Sequence, residues 1–177
     1  MQALEQKRNV EIKCKVRPSK FAELGDVMLA HYATDYIGNL QQTDTFFATN
    51  DGSRLKLRQE GEQAQLIRYV RANEACARES SYTLQQLTDS EVQALLASQP
   101  TTIVVRKQRE LYVVGQVRIH LDRVERLGEF VEIEVVLHPN DSLEHGQTVL
   151  KHWMVEVLAL NDSTICKDAY ADLLAQQ

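Results

Sequence analysis

The chain is poor in the residues that mark specialised proteins. Its 177 residues include only three cysteines, Cys14, Cys76 and Cys166, odd in number and without CxxC spacing. That excludes a complete disulfide framework and a cysteine zinc site, and fits free thiols in a reducing compartment. Three prolines and seven glycines, with no repeat or low-complexity tract, offer nothing that could serve as a linker, so residues 1–177 read as a single domain. The opening MQALEQKRNVEIK has no apolar signal-peptide core, and no stretch approaches the roughly 18 uncharged apolar residues needed to cross a bilayer. A soluble, cytoplasmic protein without a membrane partner is expected. Positive charge is not in excess either: 20 Lys+Arg against 25 Asp+Glu leave a formal charge of -5, which gives no global attraction to nucleic acid. What is present is an ordinary globular composition, 44% hydrophobic and 25% charged.

Hydrophobic periodicity divides the chain into strands with a few helices between them. Residues 9–17 alternate, with Val10, Ile12, Cys14 and Val16 on one side and Asn9, Glu11, Lys13, Lys15 and Arg17 on the other, the period of a strand. Phe21, Leu24, Met28 and Tyr32 then recur at helical spacing after Pro18, predicting a helix to about residue 34. Strands follow at about 43–49, 54–60 and 65–71, the first two joined by an Asn50-Asp51-Gly52 turn. Thr88 and Glu91 form a capping-box signature for a short helix over about 89–98. Strands at about 103–113, 116–124 and 129–137 precede a helix from Asp141 or Ser142 to about Leu158, and a last helical turn is expected near 168–175. Seven or eight strands with three or four helices predict an α+β fold with an antiparallel sheet large enough to close.

The strands sort their charges by sign. Arg54, Lys56 and Arg58 share a face opposite Leu55 and Leu57, and Lys107 and Arg109 repeat the pattern after Val105. Glu132 and Glu134 share a face with Phe130, opposite Val131, Ile133 and Val135, while Arg118, His120 and Asp122 alternate with Ile119 and Leu121. A solvated sheet face tends to interleave signs, because like charges opposed across strands repel. If the helical stripes at 21–32 and 149–157 cover the apolar faces, the charged faces look at one another across a closed sheet. That interior is costly unless a polyphosphate answers the Lys/Arg stripes and a divalent metal answers the carboxylates.

These residues also carry a resemblance. Asn9-Val10-Glu11-Ile12-Lys13, Gly52-Ser53-Arg54-Leu55-Lys56-Leu57-Arg58 and Leu66-Ile67-Arg68-Tyr69-Val70-Arg71 resemble the CYTH domain, also called the triphosphate tunnel metalloenzymes. So do Val105-Arg106-Lys107-Gln108-Arg109-Glu110-Leu111-Tyr112, Arg118-Ile119-His120-Leu121-Asp122 and Leu127-Gly128-Glu129-Phe130-Val131-Glu132-Ile133-Glu134, with the last two most similar to the class IV adenylyl cyclase branch. The resemblance implies an eight-stranded antiparallel β-barrel with surrounding helices, whose tunnel binds a triphosphate such as ATP. Carried over position by position, Lys13, Lys56, Arg58, Arg71, Lys107, Arg109 and Arg118 would contact phosphate oxygens, with Arg54 and Lys15 as further candidates. Glu11, Asp122, Glu132 and Glu134 would hold Mg²⁺ or Mn²⁺, and Glu11, Lys13 and Glu134 would be the catalytic set. Strand parity agrees with these assignments except at Arg71, where it does not choose between Ile67-Tyr69-Arg71 and Leu66-Arg68-Val70. Two positions depart from the family's pattern. Asn9 stands where the first-strand motif Glu-x-Glu-x-Lys has its first Glu, which implies a weaker metal site holding one ion tightly. Ala169 stands where the branch has Ser before Tyr170, and Tyr170 reads as packing. Members of the family often pair, so a homodimer is among the expectations.

Two reactions share every residue named. In the cyclase reading the ribose 3′-hydroxyl attacks the α-phosphorus of ATP and expels pyrophosphate, giving cyclic AMP. In the hydrolase reading water attacks the γ-phosphorus of inorganic, thiamine or nucleoside triphosphate. A non-catalytic nucleotide or polyphosphate binding module is a third reading, for which Asn9 is the main argument. His31, His138, His145 and His152 lack metal-ligand spacing and read as surface or capping residues, His120 lies on the charged face, Cys14 reads as a buried thiol and Trp153 as core.

Overall fold

The computed structural model describes residues 5–71 and 78–177, with the side chains of residues 5–7, 71 and 78–80 outside that description. Cys76 therefore lies outside the described residues; Cys14 and Cys166 are free thiols. Eight antiparallel strands close into a barrel: β1 (Glu5–Lys15), β2 (Tyr36–Phe47), β3 (Arg54–Glu60), β4 (Gln63–Arg71), β5 (Arg78–Gln86), β6 (Thr101–Val114), β7 (Val117–Val124) and β8 (Gly128–Leu137). Around the barrel they run β1-β5-β4-β3-β2-β6-β7-β8, and β1 closes it by pairing with β5 on one side and β8 on the other. Closure removes the exposed sheet edge that an open antiparallel sheet would present.

Most apolar residues of β1, β3, β7 and β8 point outward, against helices. Val10, Ile12 and Cys14 of β1 and Ile119, Val131, Ile133 and Val135 of β7 and β8 form one core with Phe21, Leu24 and Met28 of α1 (Pro18–Tyr32) and with Leu150, Trp153 and Met154. Leu150 belongs to α3 (Leu143–His152), which continues into a wider π-helical turn over Trp153–Val157. A glycine is needed where α3 crosses the barrel: a Cβ at Gly146 would lie 2.7 Å from Leu137 and 2.8 Å from Val10. Phe47, Leu55, Leu57 and Ala64 pack against Val92 of α2 (Asp89–Ser98), whose capping box is formed as Thr88 and Glu91 predict. The β2–β3 turn contains Gly52 at φ 73, the left-handed conformation that glycine adopts without strain. Because the helices take the apolar faces, the alternate faces, with their charges, are left to the barrel interior.

Two parts of the sheet go beyond the sequence pattern. β5 has only Tyr82 and Leu84 as apolar residues, and both face inward with no helix behind them, so its outer face (Ser81, Thr83, Gln85) lacks the alternation that marks the other strands. β2 begins at Tyr36, well before the expected residue 43, because Tyr36–Gln41 hydrogen-bond to β6 while only Gln42–Phe47 also pair with β3. The polar run Gly38-Asn39-Leu40-Gln41 gives that extension no strand signature. Among the described residues, no helix is long and apolar enough to cross a membrane.

After α3 the chain returns to β1, where Cys166 N–H donates to the Lys13 carbonyl at 2.7 Å, and ends in α4 (Tyr170–Ala175). Tyr170, Ala171 and Leu174 of α4 pack on Phe46, Val105 and Phe130, which face inward from β2, β6 and β8. The last helix thus closes one end of the barrel interior with apolar contacts.

Candidate functional site

The interior is a cavity of about 230 Å³ lined by residues of all eight strands together with Ala169 and Tyr170. Its wall divides by charge. On β3 and β6 the lining residues are Lys56, Arg58, Lys107 and Arg109, and on β1 and β8 they include Glu11, Glu132 and Glu134. The cause is local: where a strand alternates, the face opposite the one buried under the helices turns its polar residues to the cavity, Lys56 and Arg58 on β3, Lys107 and Arg109 on β6, and Glu132 and Glu134 on β8, while β1 brings Lys13 in beside Glu11.

On the basic side the cations converge on a carboxylate that the strand pattern does not single out. Asp44 of β2, 3% exposed, accepts hydrogen bonds from Arg58 Nε and Nη2, both at 2.7 Å, and from Lys56 Nζ at 2.9 Å, with Lys107 Nζ at 3.5 Å. Burial works against the charge of Asp44, but Arg58, Lys56 and Lys107 together outweigh it and hold the carboxyl well below its usual range. The lysines feel the reverse balance. Burial and the neighbouring Arg58 pull Lys56 down to about 8, with Asp44 offsetting part of the shift. Burial and Arg109 pull Lys107 down to about 7. The signal that could have exposed Asp44 was its parity: it lies in phase with Phe46 on a strand directly opposite Arg58.

Arg109 reaches the other way. Its Nε and Nη2 donate to the two oxygens of Asp122 at 2.7 and 2.6 Å, and Tyr170 Oη donates to Asp122 Oδ2 at 2.8 Å. Burial opposes both charges of this pair, yet each holds the other ionised: Arg109 is raised well above its ordinary value and Asp122 is lowered. Asp122 is fully buried behind the cavity wall, whereas Arg109 lines the cavity. Tyr170, read from the sequence as packing, is part of the site. Its ring lies 4.3 Å from Lys13 Nζ and 5.4 Å from Lys107 Nζ, and Lys13 Nζ also donates to the Asp168 carbonyl at 2.9 Å.

The acidic side is organised by register. Glu11 is directly opposite Glu134 and Lys13 is directly opposite Glu132 across β1 and β8. Like charges placed directly opposite on one face repel, so the Glu11–Glu134 pair is where a cation would be most favourable. Glu134 Oε1 accepts from Asn9 Nδ2 at 2.7 Å and lies 3.5 Å from Tyr82 Oη, while Oε2 is 3.6 Å from Arg118 and 3.8 Å from His120. Burial and Glu134 raise the Tyr82 hydroxyl to about 12, so it stays a hydrogen-bond donor. Glu132 lies 3.1 Å from His120 Nδ1 and 3.6 Å from Arg109, and those partners hold it ionised well below the usual carboxylate range despite its burial. Burial and Arg109 lower His120, with Glu132 opposing them. Asn9 is 3% exposed, and its Oδ1 is a buried oxygen with no hydrogen-bond partner among the described residues.

The residues expected to share one site are therefore largely brought together. Glu11, Lys13, Lys56, Arg58, Lys107, Arg109, Arg118, Glu132 and Glu134 all line the cavity, as does His120. Arg54 instead pairs with Asp172 of α4 at 2.7 Å, and Lys15 is exposed. On β4 the cavity-lining residues are Gln65, Ile67 and Tyr69, which answers the parity left open by the sequence; the side chain of Arg71, at the strand's end, lies outside the described residues. Phe46, Tyr69, Tyr82, Leu84 and Val105 add an aromatic and apolar stretch of wall beside the cations, which charge patterning alone does not reveal. His31, His138, His145 and His152 are exposed, Cys14 is buried, and Trp153 is core.

Comparison with solved structures places this architecture among known folds. A protein of Pyrococcus horikoshii OT3 (PH1012) superposes with a TM-score of 0.77 at 20% sequence identity, over 93% of this chain and 98% of that one. A candidate adenylate cyclase from Bacillus halodurans superposes with a TM-score of 0.69 at 18% identity, covering 95% of this chain and 97% of its own. Another from Vibrio parahaemolyticus reaches 0.69 at 19% identity, covering 97% and 99%. At these identities the likeness establishes the fold. No curated protein sequence matches the chain significantly. The closed barrel with its charged interior agrees with the sequence match over residues 7–158, and by that match the chain belongs to the CYTH domain family.

Proposed function

We propose that the protein is a divalent-metal-dependent enzyme that binds a nucleoside triphosphate inside the barrel and converts ATP to cyclic AMP and pyrophosphate. The observation that carries this reading is the division of one enclosed cavity into a basic wall on β3 and β6 and a carboxylate wall on β1 and β8. A polyphosphate satisfies the first wall and a hard cation the second, and neither wall is tolerable alone in a desolvated interior. Drug-sized ligands fill about 300–1,000 Å³, so a cavity of about 230 Å³ suits the phosphate tail, with the nucleoside toward the mouth. The rings of Phe46 and Tyr69, each 5.7 Å from Lys56 Nζ, line the cavity beside the basic wall. Two structures of the same fold are candidate adenylate cyclases, so the cyclase is the reaction to test first.

The donor set suits one divalent ion. Glu11 and Glu134 would supply opposed carboxylates, and Asn9 Oδ1, which has no hydrogen-bond partner among the described residues, would supply a neutral oxygen beside them. Among the described residues no group of three His, Cys, Asp or Glu side chains is already gathered to hold an ion, so the remaining ligands of a bound ion would have to come from substrate and water. When bound, Mg²⁺ or Mn²⁺ neutralises phosphate charge and acidifies a coordinated hydroxyl. The chain's own groups do the rest. Lys56, Arg58 and Lys107 grip the terminal phosphates, Lys13 and Arg118 approach from the carboxylate side, and Asp122 and Glu132 hold Arg109 and His120 in place. Phosphoryl and nucleotidyl transfer depend mainly on such positioning and charge stabilisation, so no covalent nucleophile is required.

The reaction is tested by incubating the protein with Mn²⁺ and ATP and resolving the products by phosphorus NMR. Cyclic AMP with pyrophosphate supports the cyclase. ADP and orthophosphate without cyclic AMP overturn it in favour of the hydrolase, the reading that the small cavity also suits.

The lowered lysines predict a pH dependence of ligand binding. Only the protonated amines attract a polyanion, so affinity for triphosphate is greatest below pH 7 and falls as pH rises through about 7 for Lys107 and about 8 for Lys56. A bound polyanion raises both values, so binding near pH 7.5 takes up protons. The stability of the ligand-free protein runs the opposite way. Unfolded lysines keep their protons to about pH 10.4, so stability rises with pH between about 7 and 10 as the buried amines lose their charge. Calorimetry in buffers of different ionisation enthalpy measures the uptake, and proton release on binding would contradict the placement of these amines against the phosphates.

A further inference from the structure

We propose that Asp44 is a positioning residue for the triphosphate: its single carboxylate gathers Lys56, Arg58 and Lys107 from two separate strands into one convergent cradle. The inference rests on the proposed function and adds to it a residue that neither strand alternation nor charge sorting brings out.

The geometry carries the argument. Asp44 lies on β2 between β3, which bears Lys56 and Arg58, and β6, which bears Lys107. Its Oδ2 is shared by Lys56 at 2.9 Å, Arg58 Nη2 at 2.7 Å and Lys107 at 3.5 Å, and its Oδ1 takes Arg58 Nε at 2.7 Å. The contact with Arg58 is bidentate and fixes the plane of the guanidinium. A lysine is a point charge on a flexible stem, and without a shared anion two of them beside an arginine would swing apart. Asp44 leaves most of their donors unused, because a guanidinium carries five N–H groups and an ammonium three. All three cations line the cavity, where those remaining donors are available to a ligand.

Charge balance separates this arrangement from a purely structural ion pair. Arg109 lines the cavity but is answered one for one by Asp122 behind the wall, with a tyrosine completing the carboxylate's contacts. Asp44 answers three cations with one negative charge and faces the cavity itself. A network built for stability alone would be neutral, since buried excess charge costs free energy. The uncompensated positive charge is what a polyphosphate would neutralise.

The test is a calorimetric titration of the divalent-free protein with inorganic tripolyphosphate, using wild type, Asp44→Asn, Arg58→Ala and the double variant. Asp44→Asn is expected to weaken binding tenfold or more. In the Arg58→Ala background the same change is expected to cost less than threefold, because the effect of Asp44 is carried largely through the guanidinium it holds. Asp44→Glu keeps the charge but moves it by one methylene, and weaker binding at an unchanged melting temperature is expected; it decides the matter if Asp44→Asn does not fold. Equal or tighter binding by Asp44→Asn would show that the carboxylate competes with phosphate, and would overturn the inference. So would equal losses in both backgrounds, or a lower melting temperature with an unchanged dissociation constant, the mark of a structural role. Failure of the wild type to bind tripolyphosphate would overturn the proposed function, a result distinct from failure of the Asp44 variants alone.

Discussion

Arg109→Ala is expected to destabilise the fold by about 3–5 kcal/mol, the range for removing one partner of a buried ion pair and stranding the other. Asp122 is completely buried and takes both of its charged hydrogen bonds from Arg109, at 2.7 and 2.6 Å. Without the guanidinium, Tyr170 Oη, at 2.8 Å, and the more distant Lys107 are what remains among the described residues to support the carboxylate. For a chain of this size each kcal/mol shifts the melting temperature by about 2–4 °C, so the expected fall is on the order of 10 °C in differential scanning calorimetry. The double variant Arg109→Ala/Asp122→Ala should recover part of that loss, because no buried charge is then left stranded. A single variant that melts within a degree or two of wild type would show that Arg109 is free to serve phosphate, and that Asp122 does not depend on it.

Glu134→Gln should have the opposite profile. Turnover is expected to fall about 1,000-fold, equivalent to about 4 kcal/mol of lost charge stabilisation at the reacting phosphate. The melting temperature should hold or rise, because Glu134 stands directly opposite Glu11 and the change removes that repulsion. The amide is nearly the same size as the carboxylate and can still accept from Asn9, which lies 2.7 Å from Oε1. Steady-state kinetics with Mn²⁺ and ATP, paired with calorimetry on the ligand-free protein, separates the two effects. Activity within tenfold of wild type would remove Glu134 from the catalytic set. The contrast is instructive: two charged residues of the same barrel interior, one holding the fold together and the other spending fold stability on the site.

Most of the barrel wall is legible in local periodicity. The alternation of β1, β3, β6, β7 and β8 places Glu11, Lys13, Lys56, Arg58, Lys107, Arg109, Glu132 and Glu134 on the faces opposite the apolar residues, and those are the faces that line the cavity. The helices were equally plain, since an amphipathic stripe needs no long-range information. β5 escaped because a strand with no helix on its outer side is not required to carry apolar residues there. Asp44 escaped because one carboxylate among neutral neighbours is no stripe, and its importance comes from the strands on either side. Tyr170 escaped because a tyrosine in a short terminal helix reads as packing until the helix is seen to close the barrel with its hydroxyl on Asp122.

What this sequence determined by itself is a period-two sorting of charge from hydrocarbon, which follows from the geometry of single strands and so from residues a few positions apart. The tertiary structure decided which charges meet: Asp44 with three cations, Arg109 with Asp122, Glu11 with Glu134. Those meetings depend on strand order and register around a closed sheet, which brings together residues as near in the chain as Asp44 and Lys56 and as far apart as Glu11 and Glu134. No local pattern encodes that proximity, because it is set by how the outer apolar faces fit their helices and by the single arrangement of eight strands that lets β1 bond to both β5 and β8.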